Sequence, residues 1–111
     1  MPRLPNADRA VIDLRKLADY CLDPKHPRGR HKARVFLATL GIDRTDARWL
    51  QEEIAEALPG GEAVALASDR YGTHWRVDIP VTRQGMHNVI RTLWIVKAEE
   101  DFPRFITCWV L

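Results

Sequence analysis

Apolar residues recur at three- and four-residue spacing through the first half of the chain and at two-residue spacing through the second, and this change of period divides the sequence. From Asp13 to Leu22 the residues Leu14, Leu17, Ala18 and Cys21 fall on one helical stripe, with Asp13 placed as its N-cap. Asp23, Pro24 and Pro27 end that helix, because proline lacks an N–H donor and pushes its predecessor out of the helical region. A second stripe, Ala33, Phe36, Leu37 and Leu40, begins near Gly29, and Gly41 is positioned to close it in a left-handed cap. A third helix carries Ala47, Leu50, Ile54 and Leu58, with Thr45 or Asp46 as its cap and Pro59-Gly60-Gly61 as its stop.

Beyond Gly61 the stretch Glu62 to Arg70 reads as a strand and Tyr71-Gly72 as a turn. Trp75, Val77, Ile79 and Val81 then alternate with His74, Arg76, Asp78 and Pro80, the pattern of a half-buried antiparallel strand, with Pro80 marking an edge or a bulge. Arg83-Gln84-Gly85 turns the chain into Val89 to Lys97, apolar enough on both faces to be central. The acidic turn Glu99-Glu100-Asp101 and Pro103 lead to a last strand, Arg104 to Val110. Helices that precede a run of strands predict an α+β fold: two or three N-terminal helices packed on a four-stranded antiparallel meander sheet, as a single domain over residues 1–111.

Composition sharpens the class. Apolar residues are 46% and charged residues 29% with both signs present, which suits a folded domain and argues against disorder. No apolar run approaches the roughly 18 residues of a membrane span, and the first eight residues hold two prolines and charge where a secretory signal would be apolar, so a cytoplasmic protein is expected. Cys21 and Cys108 then read as buried free thiols with a packing role.

Net charge is only +2, but it is unevenly spread. Lys25, Arg28, Arg30, Lys32 and Arg34 lie within ten residues that also hold His26 and His31 and no acid. The rest of the chain carries twelve basic against 15 acidic side chains, so this segment is where an anion would go. Lys32 and Arg34 can neutralise a phosphate, the imidazoles can exchange protons near neutral pH, and the first turn of the second helix offers free N–H groups. The plainer reading is a solvated basic surface. Helical geometry adds a condition, since His31 projects nearly opposite the Ala33–Phe36–Leu40 stripe and faces a cleft only if the sheet or the chain's start wraps around that side; Val35, on the same side, suggests some covering.

Other chemistry finds little support. His26 and His31 are five apart across two breakers, no His-x-x-x-His occurs, and the cysteines are far apart, so neither a metal site nor a cofactor is expected. Phosphate-loop and serine-esterase motifs are missing. His74 and His87 read as surface histidines, and Trp75, Trp94, Phe105 and Trp109 as core residues. Arg91, Thr92 and Thr107 interrupt otherwise apolar strands. A cation in a central strand is too costly to bury alone, so Arg91 either meets an acid such as Asp78 or opens onto an anion site.

The segment HPRGRHKARVF, with RTLWIVKAEEDFPRFIT later in the chain, resembles a family of small, functionally uncharacterised bacterial proteins with a His-Pro-x-Gly-x-His-Lys-Ala motif. That family is similar in layout to the barnase–EndoU–colicin–RelE group of toxin RNases, a fold-level analogy. The resemblance implies a metal-independent endoribonuclease that cleaves RNA by 2′-OH attack. His31 would be the proton-transfer group, Lys32 and Arg91 the charge stabilisers and Thr107 a holder of a phosphate oxygen, with His26, Arg28, Arg30, Arg34 and Thr92 binding substrate. Its partners would be RNA and a cognate antitoxin or immunity protein. With one well-matched histidine, either His26 joins it or the acid step is unassigned. The rival expectation is a noncatalytic interaction or accessory domain. Convergence of His31, Lys32 and Arg91 in one concave site favours the enzyme; Arg91 buried against Asp78, with His31 in bulk water, favours binding.

Overall fold

Asp13 accepts the backbone N–H of Arg15 at 2.9 Å and so starts the first helix, α1 (Leu14–Lys16). In this computed structural model, which describes residues 2–111, α1 runs on as a π-helical turn (Leu17–Cys21), closed by the Leu22 N–H on Leu17 O at 2.8 Å. Helices α2 (Arg30–Leu40) and α3 (Ala47–Ala57) follow, then strands β1 (Ala63–Asp69), β2 (Gly72–Arg83), β3 (Met86–Lys97) and β4 (Pro103–Val110). Gly41 ends α2 with φ of +67° and returns its N–H to Leu37 O, as its position after the apolar stripe predicts.

The start of α3 departs from expectation. Asp43, not Thr45 or Asp46, does the capping, one 3₁₀ turn (Arg44–Asp46) earlier. Its carboxylate accepts the Thr45 N–H at 2.9 Å while the Asp46 carboxylate accepts the Asp43 N–H at 3.0 Å, a reciprocal capping box.

The sheet is an antiparallel meander in the order β1-β2-β3-β4. β2 and β3 pair along their whole length, from Gly72↔Lys97 to Arg83↔Met86. β1 reaches only as far as Val77, so β2 is an edge where Pro80 stands, and a missing N–H costs nothing there. The other edge, β4, is partly covered by the chain's start: the Val11 N–H donates to Pro103 O and the Phe105 N–H to Val11 O, both at 2.9 Å.

The helices pack on the sheet face that carries Val77, Ile79, Ile90, Trp94 and Phe105, against Leu17, Phe36, Leu40, Leu50 and Ile54. Trp94 and Phe105 meet edge to face at 5.4 Å. A bulge at Ile106, where the pairing jumps from Trp94↔Phe105 to Leu93↔Thr107, breaks β4's alternation. The sequence neighbours Thr107 and Cys108 are consequently both buried. Among the described residues no helix is long and apolar enough to cross a membrane.

Candidate functional site

The segment from His26 to Ala33 is built onto the π-helical turn. His26 Nδ1 accepts the N–H groups of Arg28 and Gly29, both at 3.0 Å, so its proton sits on Nε2, and its ring lies edge-on to Tyr20 at 4.8 Å. Gly29 passes so close that a Cβ there would lie 1.9 Å from Tyr20 O, a distance no side chain survives. Ala33, 5% exposed, continues the contact into α2. His26, expected as a substrate ligand, therefore spends one ring nitrogen on folding the loop.

Lys32 follows from that docking. Its ammonium donates to Tyr20 Oη at 2.9 Å and to Thr107 Oγ1 at 3.0 Å, and lies 4.7 Å from the Tyr20 ring centroid and 5.3 Å from that of Trp109. Thr107 Oγ1 in turn lies 3.6 Å from Cys21 Sγ. The hydrogen bond from Cys108 holds the Cys21 thiol down to about 6, with Thr107 and the Lys32 charge helping against burial. Burial and the neighbouring Cys21 push Cys108 well above its ordinary value. Of the two thiols Cys21 is thus the more readily ionised, and the Lys32 charge favours its ionised form. Both thiols are buried and free, as expected, but they belong to a polar network and do more than fill space.

Above this network lies an open concavity of about 480 Å³, lined by His31, Lys32, Val35, Trp109 and Val110. His31 is exposed at its rim and its imidazole makes no hydrogen bond among the described residues. The covering that Val35 hinted at comes from the end of β4. Trp109, expected in the core, is the one tryptophan outside it: Trp94 is buried there, and Trp49 and Trp75 pack against it.

Two expected site residues are engaged elsewhere. Arg91 donates through Nε and Nη2 to both oxygens of Asp78, each at 2.9 Å, on the sheet face away from the helices. Arg91 holds the Asp78 carboxyl below the usual carboxylate range. Arg91 is the register partner of Trp109, one strand from the concavity, but its guanidinium turns the other way, toward β2. Thr92 faces the core and is fully buried: its hydroxyl donates to Val77 O at 2.6 Å and accepts from Trp94 Nε1 at 2.7 Å, leaving nothing for a substrate.

His31, Lys32 and Thr107 are brought together, whereas the guanidinium of Arg91 and the hydroxyl of Thr92 are not. Arg28, Arg30 and Arg34 are exposed, and Arg30 and Arg34 border a separate groove with Leu22, Pro24, Leu37 and Ile42 on the next stripe of α2. Tyr20 and Trp109, which complete the surroundings of Lys32, were not singled out as site residues; Tyr20's hydroxyl beside the apolar stripe of α1 was the single hint. Among the described residues no three His, Cys, Asp or Glu side chains group as metal ligands.

Three helices on one face of an antiparallel meander, with an ammonium, two hydroxyls and a dithiol linking the second helix to the last strand, define an α+β domain with a polar seam at its sheet edge. The chain belongs to the family described as a domain of unknown function (DUF6883), whose model matches residues 3–111. No curated protein and no solved structure matches it.

Proposed function

We propose that this chain is a metal-independent endoribonuclease of the toxin type, cleaving RNA by attack of a ribose 2′-OH at the concavity between α2 and β4. The observation that carries the reading is an unbonded, exposed imidazole beside an ammonium: His31 and Lys32 line the same concavity, and neither has a carboxylate partner among the described residues. His31 takes the proton of the 2′-OH as the oxygen attacks phosphorus. The Lys32 ammonium, held by Tyr20 and Thr107, steadies the extra negative charge of the phosphorane. The P–O5′ bond then breaks to give a 2′,3′-cyclic phosphate, and the departing oxygen takes its proton from water, which makes for slow turnover. Arg28, Arg30 and Arg34 hold neighbouring phosphates. The resemblance to the barnase–EndoU–colicin–RelE RNases that the sequence implies is an analogy of fold and supplies only the reaction class. A cognate antitoxin or immunity protein would act by covering the same concavity, and such chemistry belongs in the cytoplasm.

A noncatalytic interaction domain is the second reading, favoured by the bidentate bond that takes Arg91 out of the site. Incubating the purified protein with a single-stranded RNA in excess chelator separates the two. Cleavage to cyclic-phosphate ends that falls about a hundred- to ten-thousand-fold in His31→Ala is expected. Cleavage equal in both proteins, or none in either, would remove the catalytic assignment.

A further inference from the structure

Trp109 is set apart from the other tryptophans in a way that packing does not explain. It stands at the end of β4 in the concavity, beside the aliphatic side chains of Val35 and Val110, with the Lys32 ammonium 5.3 Å from its ring centroid and His31 on the rim. A large aromatic surface left half-open next to cations is the arrangement by which proteins hold single-stranded nucleic acid: ring faces stack on bases while cations take the backbone. The volume, about 480 Å³, lies in the range of sites that take a single small ligand. Charge selects among occupants. Lys32, the lysine of the lining, forms no ion pair among the described residues, so that side of the concavity suits an anion, and the apolar floor suits a flat ring attached to it.

We infer that Trp109 is the floor of a nucleobase subsite, on which one unpaired base of the RNA strand stacks while the adjoining phosphate meets Lys32 and His31. This rests on the proposed RNA reading and adds to it a specificity: the strand must be single, because a base within a duplex has no free face to offer. Val35 and Val110 are shaped for contact with a ring and carry no group that reads its edge, so the subsite discriminates base from no base more strongly than one base from another.

The test uses the full chain and probes that cannot be cleaved: a 2′-O-methyl hexauridylate and the same oligomer with abasic sugars. The protein is expected to bind the first at least about tenfold more tightly than the second. Trp109→Phe should keep most of that preference and Trp109→Ala should bind both oligomers equally. Equal binding of the two probes by the unaltered protein, unchanged preference in Trp109→Ala, or no binding of either probe would each overturn the inference. Tighter capture of a glutamate-rich peptide than of the uridylate probe would assign the concavity to a protein partner and overturn it as well. Base preference without any RNA cleavage would remove the nuclease reading and leave the subsite standing; cleavage lost in His31→Ala with no base preference would do the reverse.

Discussion

The cations of the sheet and those of the segment from Lys25 to Arg34 meet opposite fates. On the sheet, Arg91 is gripped by Asp78 and Arg104 by Glu100, each through two hydrogen bonds of 2.8–2.9 Å. Of the twelve Lys and Arg outside the segment, six form ion pairs: Arg9, Arg15, Arg44, Arg83, Arg91 and Arg104. Inside the segment none does, and Lys32 is held by the hydroxyls of Tyr20 and Thr107 and by the faces of Tyr20 and Trp109. On the strands Arg83, Arg91 and Arg104 are consumed by the fold, while Arg76 and Lys97 form no ion pair among the described residues. In the segment Lys25, Arg28, Arg30 and Arg34 are exposed and unpaired among the described residues, which is how a protein arranges groups meant for something outside itself.

The most severe way to break this contrast is to unseat the basic segment. Gly29→Ala drives a methyl group into Tyr20 O and should destabilise the protein by about 3 kcal/mol in a denaturant titration. A change near zero would mean that the segment is a loose tether. Next in size is the thiol pair. Cys21 titrates at about 6 when folded and near 9 when unfolded, so between those values the unfolded chain binds the extra proton. Stability therefore rises from pH 6 toward 9, and this contribution is gone once pH has fallen through 6. Above 9 the raised Cys108 keeps its proton while the unfolded thiol releases one, and stability declines. Thermal melts across this range should show the rise in the natural protein and a flattened profile in Cys21→Ser. The smallest effect belongs to the sheet: Arg91→Ala breaks a pair that is 27% and 32% exposed and screened by solvent, so it should change stability little and leave affinity for 2′-O-methyl hexauridylate unchanged. A tenfold loss of that affinity would show that both regions serve the ligand.

Much of the fold was legible because local signals agree with the global arrangement. Gly41 follows an apolar stripe and caps it, and the alternation from Trp75 to Val81 gives β2 its buried face. Asp43-Arg44-Thr45-Asp46 carried the spacing of a capping box and was readable, but the nearer Thr45 and Asp46 competed for the role. β3 looked apolar on both sides, which hid the fact that Ile90, Thr92 and Trp94 share the core face and Arg91 the outer one. The site was less legible. Its network joins Tyr20, Lys32 and Thr107 across 12 and 75 residues of chain, and Thr107 reaches it through a bulge at Ile106 that no alternation pattern announces. Cys21 and Cys108 gave no sign of meeting because cysteines read as small apolar residues until their neighbours are known.

The contrast between the two regions can be measured in one titration. Adding 2′-O-methyl hexauridylate to ¹⁵N-labelled protein should shift the backbone amides from His31 to Val35 and the Trp109 indole N–H, and leave the amides of Asp78 and Arg91 in place. Shifts concentrated on Asp78, Arg91 and their outer-face neighbours, with His31 and Trp109 unmoved, would contradict the account.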